Sequence, residues 1–190
     1  MISFPKYSGL RCLMMPYIQG DSKSVPKKYS NYKNIITNVF IKKGDVGYLT
    51  IDESFVRAGK PHRGARSKTN RALHTEAGKR FNEYGWGNSF NVRLNRNVQV
   101  LLSSNMNNTC AVWDAEHSDT SFDGDIGYAS HLYPYKEAKL LKGGEVCQIG
   151  ILTPHESLPV KQNDKRQFLR IVGSGVYGRE KYFTKNPILG

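Results

Sequence analysis

From Gly44 onward the chain is a succession of short β-forming runs cut apart by turn residues. Val46–Ile51, Val98–Leu102, Cys110–Trp113, Val146–Leu152 and Gln167–Val172 are four to seven residues long and rich in β-branched or aromatic side chains. The gaps carry Asn105, Asn107-Asn108, Asp123-Gly124 and Gly143-Gly144, residues that favour tight turns. Many short strands with such punctuation predict an all-β sandwich or barrel. Upstream, Val25, Tyr29, Tyr32, Ile36 and Val39 recur at mostly three- and four-residue steps after Ser24, with Pro26 in the first turn, which predicts a helix. Met1 to Asp21 mixes Pro, Gly and isolated apolar residues and is expected to pack as irregular chain. A second, shorter helix is expected from Pro134 over Lys136 to Leu141.

With 190 residues the chain can bury a core of its own, and its 28 Lys+Arg against 16 Asp+Glu leave a formal net charge of +12. No apolar run approaches the ~20 residues of a membrane span, and no charged-then-apolar start reads as a signal peptide. Cys12, Cys110 and Cys147 are odd in number and widely spaced, which argues against a disulfide framework or structural zinc site and for a reducing compartment. An intracellular location, cytoplasmic or nuclear, is expected. The charge excess predicts an acidic partner. It is concentrated between Arg57 and Arg80, where Arg57, Lys60, Arg63, Arg66, Lys68, Arg71, Lys79 and Arg80 face one acid, Glu76. Asp114, Glu116, Asp119, Asp123 and Asp125 form an acidic window that reads as solvated loop.

Inside the basic window lies His74-Thr75-Glu76. In extended chain, residues i and i+2 share a face, so the two could bind one ion together. A distal histidine, in Thr153-Pro154-His155-Glu156, follows the run Val146–Leu152. Two histidines and one carboxylate make the facial triad that holds non-haem Fe(II) with positions left open. Eleven and fifteen residues beyond His155 come Arg166 and Arg170. They are four apart on one strand and share a face, while Leu169 and Ile171 face the other way. Arginine suits an anion because its planar fork matches a carboxylate.

The H-x-E, the distant histidine and the paired arginines resemble the Fe(II)/2-oxoglutarate-dependent dioxygenases, in the clavaminate-synthase and taurine-dioxygenase manner, over roughly Val46 to Val172. The resemblance implies a double-stranded β-helix, a jelly-roll barrel with one or two N-terminal helices. It further implies one domain over 1–190, with an irregular segment and helix at 1–43, the barrel at 44–173 and a tail at 174–190. By position, His74, Glu76 and His155 would be the metal ligands. Arg170 would bind the distal carboxylate of 2-oxoglutarate, and Arg166 the end nearest the metal or a supporting partner. The implied chemistry is decarboxylation of 2-oxoglutarate to succinate coupled to hydroxylation or demethylation of an anionic or macromolecular substrate. His62, Arg63, Arg66 and Trp86 are further candidates for substrate contact. Glu76 departs from the usual H-x-D form.

His117-Ser118-Asp119 is a rival first-ligand motif, set in the acidic, turn-rich stretch. His131 reads as a partly buried packing residue, and Cys110 and Cys147 as small buried hydrophobes. No Walker loop, G-x-G-x-x-G, G-x-S-x-G or H-E-x-x-H occurs. The reading from another class is a non-catalytic basic jelly roll that self-assembles or binds nucleic acid. Arg57–Arg80 would then be a phosphate-binding arm, with Phe81, Tyr84 and Trp86 stacking on bases.

Overall fold

The computed structural model describes residues 1–64, 71–76, 97–117, 124–176 and 182–190. The longest strands, β2 (Val46–Val56) and β9 (Asp164–Val172), pair antiparallel from Tyr48 opposite Val172 to Val56 opposite Asp164. Alternation along them sorts side chains to two faces. Leu49, Ile51, Leu169 and Ile171 join an outer cluster, whereas Tyr48, Phe168 and Val172 belong to an inner one. The remaining strands are β1 (Arg11–Ile18), β3 (Leu73–His74), β4 (Gln99–Ser104), β5 (Cys110–Val112), β6 (Lys139–Leu140), β7 (Cys147–Gly150) and β8 (His155–Ser157). They form a five-stranded sheet ordered β1-β2-β9-β4-β7 and a four-stranded sheet ordered β3-β8-β5-β6. All pairings are antiparallel, and β2 with β9, β3 with β8, β4 with β7 and β5 with β6 nest inside one another. The protein is mainly β, with two antiparallel sheets that do not close into one barrel among the described residues.

The N-terminal stretch differs from expectation, because β1 lies within it as the edge of the larger sheet. A bulge hides this strand from its sequence. The register with β2 shifts between Cys12 and Met15, and Met14 takes φ 48°. The irregularity sends Met14 into the inner cluster while Cys12, Met15 and Tyr17 stay in the outer one, so simple alternation is lost. Pro16 is tolerated because the strand is an edge.

The continuous helix expected from Ser24 is also corrected. The chain forms 3-10 turns at Ser22–Ser24 and Lys27–Tyr32, kinked at Tyr29, and only Lys33–Asn38 is α-helical (α1). Ser, Asn and β-branched residues dominate there, and no acid stands in a first turn to offset the N-terminal dipole. Burial, rather than propensity, holds the segment: Tyr29, Tyr32, Ile35 and Ile36 pack on the outer face of the larger sheet. Tyr32 is further tied through its hydroxyl to buried Glu53 at 2.7 Å. The helix expected after Pro134 is a single 3-10 turn, Tyr135–Glu137, running straight into β6. No helix among the described residues is long and apolar enough to cross a membrane.

Candidate metal centre

His74 ends β3 and His155 begins β8, and the two strands pair so that these histidines stand opposite each other. Their ring centroids are 4.0 Å apart. Thr75 and Glu76 leave the ladder but stay anchored, Thr75 N donating to the Gly124 carbonyl and Glu76 N to that of Ile151. One ligand atom from each of His74, Glu76 and His155 lies within 4.8 Å of the other two, and all three residues are buried.

Each histidine is oriented by the same device. His74 Nδ1 lies 2.8 Å from the Ala72 carbonyl, and His155 Nδ1 lies 2.9 Å from the Thr153 carbonyl, each two residues back. A carbonyl oxygen only accepts, so both Nδ1 atoms carry the hydrogen, and each Nε2 is the ring atom turned toward the group. Burial, with Arg63 and His155 nearby, holds the His74 pKa well below the usual histidine range, so its ring is neutral as a metal ligand must be. Burial would raise the Glu76 carboxyl, but Arg170 and His155 override it and hold it at about 2. Arg170 Nη1 donates to both Glu76 oxygens, at 2.9 and 3.0 Å, and His155 Nε2 is 3.3 Å from Oε1. A neutral histidine, a second imidazole with Nε2 facing inward and an ionised carboxylate form a buried group that could hold a metal ion.

The group opens on a cavity of about 690 Å³ between the sheets. Arg166, 1% exposed, lines it from β9. Its guanidinium donates to Ser104 Oγ (3.3 Å), Ser157 Oγ (2.7 Å), the Thr109 carbonyl (2.9 Å) and Cys110 Sγ (3.1 Å). These partners are neutral, and no carboxylate hydrogen-bonds to it among the described residues. Cys110 is buried on the cavity wall, where burial raises its thiol pKa, whereas Cys147 is only half-buried.

The other sequence candidates divide. His62 and Arg63 line the cavity, with His62 Nε2 3.4 Å from Asp52 Oδ2 and Arg63 N donating to Ser157 Oγ. Arg66 and Trp86 lie outside the described residues, as do Asp119, Phe81 and Tyr84. His117 is away from the cavity, its Nδ1 2.8 Å from Tyr133 Oη and its Nε2 3.2 Å from Tyr128 Oη. His131 is exposed, contrary to the packing role expected of it. The basic window is not uniformly a surface arm either, since Arg71 turns inward to Glu156 at 2.7 Å. Glu156, the inward turn of Arg71, and Thr50, whose hydroxyl accepts from Met14 N and Arg170 Nη2, belong to no motif in the sequence. Alternation was the available signal for Glu156: the neighbour of an inward-facing His155 must face the opposite side.

The fold and site thus define a mainly β protein with a buried His–Glu–His group beside a cavity. No protein-family model matches the chain, and no curated protein matches it. Among solved structures, a similar chain is EvdO2 from Micromonospora carbonacea var. aurantiaca, at 11% identity and a TM-score of 0.39, covering 90% of this chain and 74% of that one. A likeness at this level carries no argument about chemistry, which rests on this chain's own residues.

Proposed function

We propose that this chain is an Fe(II)/2-oxoglutarate-dependent oxygenase on a double-stranded β-helix, hydroxylating or demethylating an anionic or macromolecular substrate. The observation that carries this reading is the convergence of His74, Glu76 and His155, with both Nδ1 atoms satisfied, at the wall of a cavity that also holds a buried arginine. The nested strand pairing supports the jelly-roll winding, in which one long hairpin is rolled so that successive strand pairs alternate between two sheets.

His74, Glu76 and His155 would hold Fe(II), which when bound supplies the activation of dioxygen coupled to 2-oxoglutarate decarboxylation. The roles first expected of the arginines are exchanged here. Arg170 is engaged by Glu76, so its task is to balance the charge of that carboxylate. Arg166 is a buried cation surrounded by neutral partners, so it is the better fit for the distal carboxylate of 2-oxoglutarate, with Ser157 beside it. Arg63 and His62 extend the polar wall and favour an anionic substrate. The nucleic-acid-binding alternative draws less support, because Arg63 and Arg71 of its proposed arm face the protein interior.

Anaerobic addition of Fe(II) and 2-oxoglutarate is expected to produce a weak visible charge-transfer band. The band should be absent in His74→Ala and His155→Ala. A wild-type protein that binds neither iron nor 2-oxoglutarate would sink the reading.

A further inference from the structure

Beside the two histidines lies a buried ion pair that the chemistry above does not use. Glu156 is 2% exposed in its side chain. Its Oε2 accepts from Arg71 Nε at 3.0 Å and Nη2 at 2.7 Å. Its Oε1 accepts from the Ala72 backbone N–H at 3.2 Å and from the Tyr135 hydroxyl at 3.1 Å. Arg71 spends Nη1 on the Ser130 and Tyr133 carbonyls, at 3.0 and 2.9 Å. Its guanidinium carbon lies 4.3 Å from the ring centroid of Tyr135 and 5.4 Å from that of Trp113.

This pair bears on both histidine strands. Ala72, whose N–H Glu156 holds, is the residue whose carbonyl fixes His74 Nδ1. Glu156 itself follows His155 directly and stands opposite Leu73 in the ladder. β3 offers only two residue pairs to β8, too short a ladder to specify its own register. A slip of one residue would turn His74 away from His155. Buried ionic groups are costly to desolvate, and fixing register is their best-attested use.

We propose that Arg71 and Glu156 are a positioning pair: they lock β3 onto β8 in the one register that brings His74 and His155 to a common metal ion. The proposal rests on the metal-binding reading of that group. Glu156→Gln tests it without changing volume. One amide cannot replace the carboxylate, because its NH2 must face either the Ala72 N–H or the two Arg71 donors, so one link is lost in either orientation. The double variant Arg71→Met/Glu156→Leu removes both charges while keeping an apolar filling, a replacement that buried ion pairs often tolerate.

The probe is Co²⁺, titrated into metal-free protein and followed by its d–d absorption, with circular dichroism and melting as controls for the fold. Folded Glu156→Gln should bind Co²⁺ about 10–100-fold more weakly, the usual cost of losing a partner that orients a ligand. Its absorption band should shift in position or intensity, and the double variant should do the same. A variant that melts lower yet binds Co²⁺ with wild-type affinity and spectrum would overturn the proposal, leaving the pair a purely structural one. Wild-type protein that fails to bind Co²⁺, or binding untouched by His74→Ala, would instead remove the metal reading and the proposal with it.

Discussion

Arg170→Met isolates the electrostatics of the centre. Glu76 is 7% exposed, and in the metal-free protein its charge is balanced chiefly by the Arg170 guanidinium at 2.9 Å. Removing one partner of a buried pair typically costs about 3–5 kcal/mol, because the other charge is left uncompensated. For 190 residues, an unfolding entropy of about 2.1 cal/mol/K per residue gives about 0.4 kcal/mol/K, so melting should fall by about 8–12 °C. The pH dependence has a definite sign. The Glu76 pKa is depressed on folding to about 2, so the stability it contributes is present above the unfolded carboxylate value near ~4.3 and is lost as pH falls through about 2. The deficit of Arg170→Met should therefore be full at neutral pH and shrink steadily below pH ~4. A divalent cation beside Glu76 supplies the missing positive charge, so saturating Zn²⁺ should narrow the deficit, and by linkage the variant should bind Zn²⁺ more tightly than wild type. Scanning calorimetry across pH, with and without Zn²⁺, measures each of these. A deficit of equal size at pH 3 and pH 7, unaffected by Zn²⁺, would refute the argument that Arg170 acts through the Glu76 charge.

Three further expectations concern other parts of the molecule. Glu53→Ala should cost about 3–5 kcal/mol in chemical denaturation, because the Ser8 and Leu10 amides, the Tyr32 hydroxyl and the Gln167 amide all lose a charged acceptor. Burial opposes these donors, yet they still lower the Glu53 pKa, so the difference from wild type should fade as acid protonates the carboxylate. Arg166→Met should abolish detectable 2-oxoglutarate binding by calorimetry while leaving Co²⁺ titration of the centre largely intact. Gly144→Ala should lower the melting temperature, since Gly144 has φ 77° and a methyl there would collide with the Ile2 carbonyl.

The readability of this chain follows from how locally each feature is determined. β2 and β9 were legible over Val46–Ile51 and Gln167–Val172, where β-forming residues concentrate between turn residues, and the shared face of Arg166 and Arg170 follows from strand geometry alone. His74 and Glu76 could be paired from their i, i+2 spacing without any knowledge of what they pack against. β3 could not be foreseen, because two residues carry no periodicity and the strand exists only through its pairing with β8. The bulge at Met14 concealed β1 for the opposite reason: the periodicity was there but broken. Apolar steps from Val25 to Val39 reported burial against a sheet accurately, but weak helix formers let the backbone settle into 3-10 turns instead. The destination of Arg170 was beyond local reading, since a basic residue four positions from another says nothing of a glutamate 94 positions earlier.

Nested pairing also constrains how the chain can be made. His74 and His155 are adjacent across a ladder but separated by 81 positions in sequence (155 − 74), and β2 waits for β9, the last strand among the described residues. Topologies dominated by such distant pairings fold slowly, on the millisecond-to-second scale, because loop closure is lost as entropy before contacts compensate. During synthesis the apolar face of β2, with Leu49 and Ile51, emerges more than a hundred residues before its partner's Leu169 and Ile171. Until β9 is released, the group of His74, Glu76 and His155 lacks the cavity wall that carries Arg166 and Arg170. Any metal loading is therefore expected to follow synthesis of β9, and nascent chains stalled before β9 should be the species that chaperones retain.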